Sequence, residues 1–216
     1  MIFSEEQDRA LAHWRAGKNV RICAVPGAGK SRVLEEAASA IERGMSLIVA
    51  YNRELKDATM DMIEQRGLTQ TVMCMTFHGL CSRCIQSAPD DDALMDAIEA
   101  AEAGAVEVDR LQVEALLVDE CQDCRPSFLR LLRLVLGPNP SMQVMTVGDE
   151  EQLLYDYDED DPANIDILRR PWLHFPSERE WVKCACTISF RLTVPIARFA
   201  NRVFGSCIVP GNLSGA

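Results

Sequence analysis

The sequence carries no excess of positive charge: 22 Lys and Arg stand against 33 Asp and Glu, a formal net charge of −11 over 216 residues. That excludes a protein held on nucleic acid by bulk charge, although it leaves room for a local basic groove. No apolar run approaches the roughly 18 residues that a membrane span requires, so no membrane partner is expected. A secretory leader is not expected either, because residues 1–14 are charged and helical in pattern, not basic and then apolar. Internal repeats are lacking. With 48% hydrophobic and 25% charged residues, the composition is that of a globular chain and not of a disordered one. The length suits one domain, or one and a fragment, and is enough to bury a core without staples.

Nine cysteines are present. They read as thiols of a reducing compartment, cytoplasm or nucleus, and not as a disulfide framework. Cys23 and Cys74 fall inside strand-like apolar runs, where a free thiol behaves as a small hydrophobe. Cys81-x-x-Cys84 and Cys121-x-x-Cys124 have the spacing of a four-thiolate zinc or iron–sulfur site. Buried free thiols are the preferred alternative, since both pairs lie inside other motifs.

Short apolar runs alternate with helical stretches. Strands are predicted at 20–25, 46–51, 71–76, 115–119 and 142–147, and helices at 5–16, 30–42, 53–65, 79–86, 126–136 and 194–204. The strand runs are continuously apolar, as in a parallel sheet covered on both faces, so the expected class is α/β with about five strands flanked by helices. Two acidic stretches, 90–109 and 156–161, interrupt the pattern. Within the first, a helix is expected over about 93–103, with Leu94, Met95 and Ile98 turned toward the domain.

Ala24-Val25-Pro26-Gly27-Ala28-Gly29-Lys30-Ser31 follows a predicted strand and opens a predicted helix. This is the context of a phosphate-binding loop. Glycines let backbone N–H groups curl around a phosphate, and the helix N-terminus adds partial positive charge. Lys30 is placed to reach the β- and γ-phosphates, and the Ser31 hydroxyl to ligate Mg²⁺. The run 115–118 ends in Asp119 and Glu120. Ligands gather at the carboxyl ends of parallel strands, so Asp119 is expected near the magnesium and Glu120 near an attacking water, as general base.

With these residues in place, the chain resembles the superfamily-one DNA helicases of the UvrD/Rep type. Asp119-Glu120-Cys121-Gln122-Asp123 is similar to that family's Asp-Glu-Ala-Gln-Asp box. Phe3-Ser4-Glu5-Glu6-Gln7, Ala50-Tyr51-Asn52-Arg53, Thr76-Phe77-His78-Gly79-Leu80-Cys81, Val147-Gly148-Asp149-Glu150-Glu151-Gln152-Leu153-Leu154-Tyr155 and Ile188-Ser189-Phe190-Arg191 are similar, in order, to five further motifs. The Cys-Gln-Asp-Cys-x-Pro flavour lies nearer the F-box helicase branch. The resemblance implies a RecA-like domain that binds ATP and Mg²⁺. Gln7 would read the adenine edge, and Arg32 and Phe190 would sandwich the base above the loop of Gly27, Ala28 and Gly29. Gln152 would sense the γ-phosphate and Arg191 would contact it. Tyr51, Asn52, His78 and Tyr157 would touch single-stranded DNA. For Tyr51 and His78 the competing reading is core packing; for Phe190 it is packing against Pro195.

The resemblance also sets expectations for organisation. Residues 1–180 would form the first RecA-like domain, with the short acidic segment 85–114 in place of the family's accessory domain. Residues 181–216 would begin the second domain or form a C-terminal extension. The arginine that usually follows the stacking aromatic is replaced by Asp158. Two classes of function compete: the ATP-binding core of a helicase completed by a second RecA-like domain or partner protein, and a non-motor regulatory or interaction protein that keeps the pocket as a nucleotide switch. A small-molecule P-loop kinase is disfavoured by the Gln152 and Arg191 motifs.

Overall fold

In a computed structural model of the chain, residues 3–41, 43–150 and 167–211 are described. Six parallel strands form one sheet in the order β3-β2-β4-β5-β1-β6. They are β1 (Asn19–Ala24), β2 (Ser46–Ala50), β3 (Val72–Thr76), β4 (Ala115–Val118), β5 (Gln143–Gly148) and β6 (Trp181–Cys186). Between them run α1 (Glu5–Arg15), α2 (Lys30–Ser39), α3 (Arg53–Gln65), α4 (Phe77–Cys84), α5 (Asp91–Glu102) and α6 (Pro126–Leu136). Beyond β6, the short pair β7 (Ile188–Ser189) and β8 (Val209–Pro210) brackets α7 (Val194–Phe204).

The sheet separates two cores, and the strand pleat decides which residue joins which. Leu47, Val49, Leu116, Val118 and Val144 point into one, with the apolar faces of α4, α5 and α6. Ile48, Ala50, Ala115, Leu117, Met145 and Val147 point into the other, with α1, α2 and buried Ile63 of α3. Burial on both faces is why β2, β4 and β5 read as unbroken apolar runs. Phe77 and Phe128 anchor the first core as parallel stacked rings 4.0 Å apart.

The sheet has six strands where about five were expected. The sixth, β6, begins just after residue 180 and pairs with β1 in parallel from Asn19↔Trp181 to Ala24↔Cys186. This strand escaped the sequence reading because it lies at the sheet's edge. Lys183 and Ala185 are exposed in it, so no continuous apolar run marks it. The acidic segment behaves as its pattern required. Asp90 caps α5 by accepting the Ala93 N–H at 2.9 Å, Leu94 and Ile98 are buried, and Met95 is half-buried.

Candidate functional site

Apart from Gln7, which α1 brings to the loop after β1, the candidate residues that the structure describes lie at the carboxyl ends of strands or in the loops and first helical turns that follow them. Strand order divides them into two groups. β1, β4, β5 and β6 adjoin and carry the nucleotide candidates; β2 and β3 adjoin and carry the nucleic-acid candidates.

The phosphate loop leaves β1 and turns at Gly27 and Gly29, whose φ angles of 76° and 75° lie in the left-handed region where glycine costs least. A side chain at Gly27 would also collide with Arg191 Cβ, 2.5 Å from where its own Cβ would sit. Gly29 then caps α2, so Lys30 and Ser31 stand in that helix's first turn. Lys30 Nζ donates to Glu120 Oε2 at 2.6 Å, and the Ser31 hydroxyl lies 3.5 Å from Asp119 Oδ2. Two strands, β1 and β4, thus deliver the four groups to one place across the intervening β5.

Asp119 is 3% exposed. Burial, and then the neighbouring Glu120 charge, push its carboxyl up to about 7. A buried acid beside a hydroxyl, with a positive charge close by on Lys30, is a donor set suited to a hard divalent cation that keeps water and phosphate oxygens as its other ligands. Among the described residues, no group of three or more His, Cys, Asp and Glu side chains is clustered to hold a metal by itself. Ser31 and Asp119 are two oxygen donors of the kind such a cation takes. Glu120 has φ 44°, the only described non-glycine residue in the left-handed region. Such a conformation costs energy and persists where surrounding contacts impose it.

Two flanking segments hold the loop. On one side Gln7 is buried. Its Oε1 accepts the Ser4 N–H at 2.8 Å and its Nε2 donates to the Ala28 carbonyl at 2.8 Å, so its amide is engaged within the protein. On the other side the Ser189 hydroxyl donates to the Pro26 carbonyl at 2.7 Å, and the Phe190 N–H to the Gly27 carbonyl at 2.9 Å. Arg191 and the Phe190 ring are exposed beside the loop. The Arg32 guanidinium lies over the Phe3 ring, 5.0 Å from its centroid. Gln152 and Tyr157, with Tyr155 and Asp158, lie outside the described residues.

At the β3–β2 end of the sheet, Tyr51, Asn52, Arg53, Thr76, His78 and Gly79 line an open groove of about 440 Å³. Arg53, Lys56 and Thr76 line its continuation. Arg53 and Lys56 both pair with Asp57, at 3.8 and 2.8 Å. Tyr51 is half-buried and packs against the first core while facing the groove. The Asn52 side chain caps α3 by accepting the Leu55 N–H at 2.8 Å. His78 Nε2 lies 3.2 Å from Asp91 Oδ1, and Asp91 also pairs with Arg125. The acidic helix α5 therefore places a carboxylate at the edge of the groove.

Sequence reasoning assigned no role to several residues that the fold brings in. Glu6 accepts from the Thr187 N–H at 2.7 Å and the Thr187 hydroxyl at 2.6 Å, tying α1 to the chain after β6. Gln122 contacts Glu120, and Asp91 contacts His78. Gln122 and Glu6 each lay inside a quoted motif, the acidic box and the opening segment, and Asp91 only within an acidic stretch. Cys81, Cys84, Cys121 and Cys124 are all buried in the first core, where burial raises their thiols above the ordinary range. No described helix is long and apolar enough to cross a membrane.

Comparison with known proteins agrees with this geometry. The AAA_19 family, an AAA domain, matches residues 7–158. Among solved structures, Arterivirus nonstructural protein 10 (helicase) with DNA is 15% identical, with a TM-score of 0.55 over 95% of this chain and 44% of that one. A Pif1 helicase from a study of unwinding at forked double-stranded DNA is 17% identical, with a TM-score of 0.51 over 90% of this chain and 46% of that one. The chain spans under half the length of both. No curated protein matches. The chain belongs to the AAA_19 family of AAA domains and has a RecA-like α/β P-loop fold, shared with those helicases.

Proposed function

We propose that the chain is the ATP-binding half of a superfamily-one helicase motor of the UvrD/Rep type, which couples ATP hydrolysis to movement on single-stranded DNA once a second RecA-like domain completes the site. The observation that carries this reading is the convergence of Lys30, Ser31, Asp119 and Glu120 at the ends of β1 and β4. Lys30 would leave Glu120 for the β- and γ-phosphates, where charge-assisted hydrogen bonds replace the one it gives up. Ser31 and Asp119 would hold Mg²⁺, which supplies charge neutralisation between the phosphates. Glu120 would accept a proton from the attacking water. Arg191 would meet the γ-phosphate, and Gln152 would sense it. Adenine would be read by Gln7 after its amide exchanges a protein partner for the base, with Phe190 stacking on the ring.

Residues 187–211 are assigned to the passage toward the second domain. Supporting this, α7 turns Ile196, Phe199 and Val203 outward at 52%, 64% and 54% exposure. Such a stripe is expected where another body packs. Single-stranded DNA would cross the groove of Tyr51, Asn52 and His78. A second reading, a nucleotide-switched regulatory protein without motor action, is favoured by Asp91, which sets a carboxylate against His78 where phosphate would pass.

The test is ATP hydrolysis by the 216-residue chain with and without single-stranded DNA, alongside strand separation of a tailed duplex. Slow hydrolysis that DNA accelerates, without unwinding, is expected. An arginine supplied from an opposite domain contributes about 10³–10⁵ in rate in related phosphoryl-transfer systems. Hydrolysis indifferent to DNA supports the switch reading, and robust unwinding by the chain alone overturns the half-motor reading.

A further inference from the structure

The oxygen that Lys30 holds on Glu120 is held a second time. Gln122 Nε2 donates to the same Oε2 at 2.8 Å. The other end of that amide is committed too: Gln122 Oε1 accepts the Asp149 N–H, just beyond β5, at 3.0 Å. The side chain is 3% exposed, and it fits only because β5 ends in Gly148, where a Cβ would lie 2.5 Å from Gln122 Oε1 and 3.1 Å from Cys121 Sγ. Nε2 also donates, at the longer distance of 3.3 Å, to Asp123 Oδ2. A buried amide with both ends bonded, one chiefly to a carboxylate in a left-handed backbone conformation and one to a neighbouring strand end, is a rigid brace.

We infer that Gln122 is a positioning residue that keeps Glu120 aimed once Lys30 has turned to the phosphates. This inference rests on the ATPase reading above. Before nucleotide binds, Glu120 Oε2 has two donors, so losing Gln122 leaves Lys30 in place. When Lys30 moves to phosphate, Gln122 is the donor that remains. It fixes Oε2 and leaves Oε1 to take the proton of the attacking water. The brace therefore acts on turnover and not on nucleotide affinity. Its far end ties the same amide to Asp149, from which the chain runs on to Gln152. The aim of the base and the position of that strand end are coupled through one side chain.

Two near-isosteric variants separate the two ends. Q122E keeps an oxygen for the Asp149 N–H but replaces the donor to Glu120 with a like charge. Q122M removes the bonds at both ends, the longer one to Asp123 included. Turnover, equilibrium binding of a fluorescent ATP analogue, and hydrogen exchange at the Asp149 amide are measured on the 216-residue chain. One hydrogen bond to a charged group corresponds to about a 10- to 100-fold loss in kcat, expected in both variants. Nucleotide affinity is expected to stay within about threefold in both. Asp149 amide protection is expected to survive in Q122E and to fall in Q122M. If the unaltered chain turns over ATP and Q122E does so equally well, the inference is overturned and the ATPase reading stands. Affinity falling in step with turnover also overturns it, as collapse of the pocket and not misaim of the base. No hydrolysis by the unaltered chain, with analogue binding intact, overturns the ATPase reading and this inference together.

Discussion

At the β4–β5–β1–β6 end of the sheet the candidate side chains are bonded to one another: Lys30 to Glu120, Glu120 to Gln122, Ser31 toward Asp119, and Ser189 to the loop itself. At the β3–β2 end, Tyr51, Asn52 and His78 face an open groove, and their polar contacts run to a helix N-terminus and a surface carboxylate. The contrast follows from burial. Charges taken out of water need partners at fixed distances, so the nucleotide end is organised before any ligand arrives. Cations on a wet surface are screened and few-fold in effect. Substitutions at the first end should therefore act strongly and specifically, and those at the second weakly and in a salt-dependent way.

The largest effect is expected for Glu120→Gln. Removing the base while keeping the side chain's shape should lower kcat by about 10²–10⁴-fold with ATP affinity retained, as seen by steady-state kinetics and calorimetry. Turnover at the unaltered rate would show that Glu120 is not the base. Next in size, Lys30→Ala should weaken ATP binding by about 10- to 100-fold, the scale of a charge-assisted hydrogen bond to phosphate. Equal affinity by calorimetry would mean that the loop does not bind phosphate.

A third prediction uses the cost of building this end. Asp119 titrates near 7 in the folded chain because burial opposes its charge, against about 3.9 when unfolded. The folded state therefore holds a proton that the unfolded state gives up between those values, and Asp119 makes the nucleotide-free chain less stable as pH rises from about 4 to about 7. Asp119→Asn removes that penalty. Its Tm without nucleotide should exceed that of the unaltered chain by a few degrees at pH 8, with the gap closing toward pH 5. A lower Tm at pH 8 would show that the ionised carboxylate is stabilised by its neighbours after all.

Legibility in the sequence follows the same division. The strands that carry chemistry at the nucleotide end, β1, β4 and β5, are covered on both faces, so their apolar runs and the motifs at their ends could be read directly. Asp119 and Glu120 were found because they terminate such a run. β6 could not be found, since an edge strand with Lys183 and Ala185 exposed has no run to find. Nor could the bonds that organise the site. Glu6 with Thr187, and Asp91 with His78, are joined by strand order and helix placement, which residue spacing does not encode. The contact of Arg32 with Phe3 is of the same kind, made by the fold and not readable from spacing.

The smallest effect tests the groove. Asp91 stands at the start of α5, lies against His78 and pairs with Arg125, whose side chain is on the first residue before α6. Its carboxyl lies below the ordinary carboxylate range, chiefly through the hydrogen bond from Arg125, so it is charged at neutral pH. A charged carboxylate at the rim repels a passing phosphate, yet it also holds the His78 ring still. The two effects on DNA binding have opposite signs. Arg53 and Lys56 lie along the same groove and, although both pair with Asp57, are the cations whose attraction Asp91 opposes. Because repulsion acts on every phosphate near the rim while orientation serves one ring, repulsion should win. Asp91→Asn should raise single-stranded DNA affinity about two- to threefold at low salt, with the gain fading as salt rises, since the term is electrostatic. Folding stability should change by less than about 1 kcal/mol, as for an exposed ion pair. Fluorescence anisotropy of a labelled oligonucleotide over a salt series reads both signs. A fall in affinity that persists at high salt would mean that α5 organises the groove, making the β3–β2 end a built site like its neighbour.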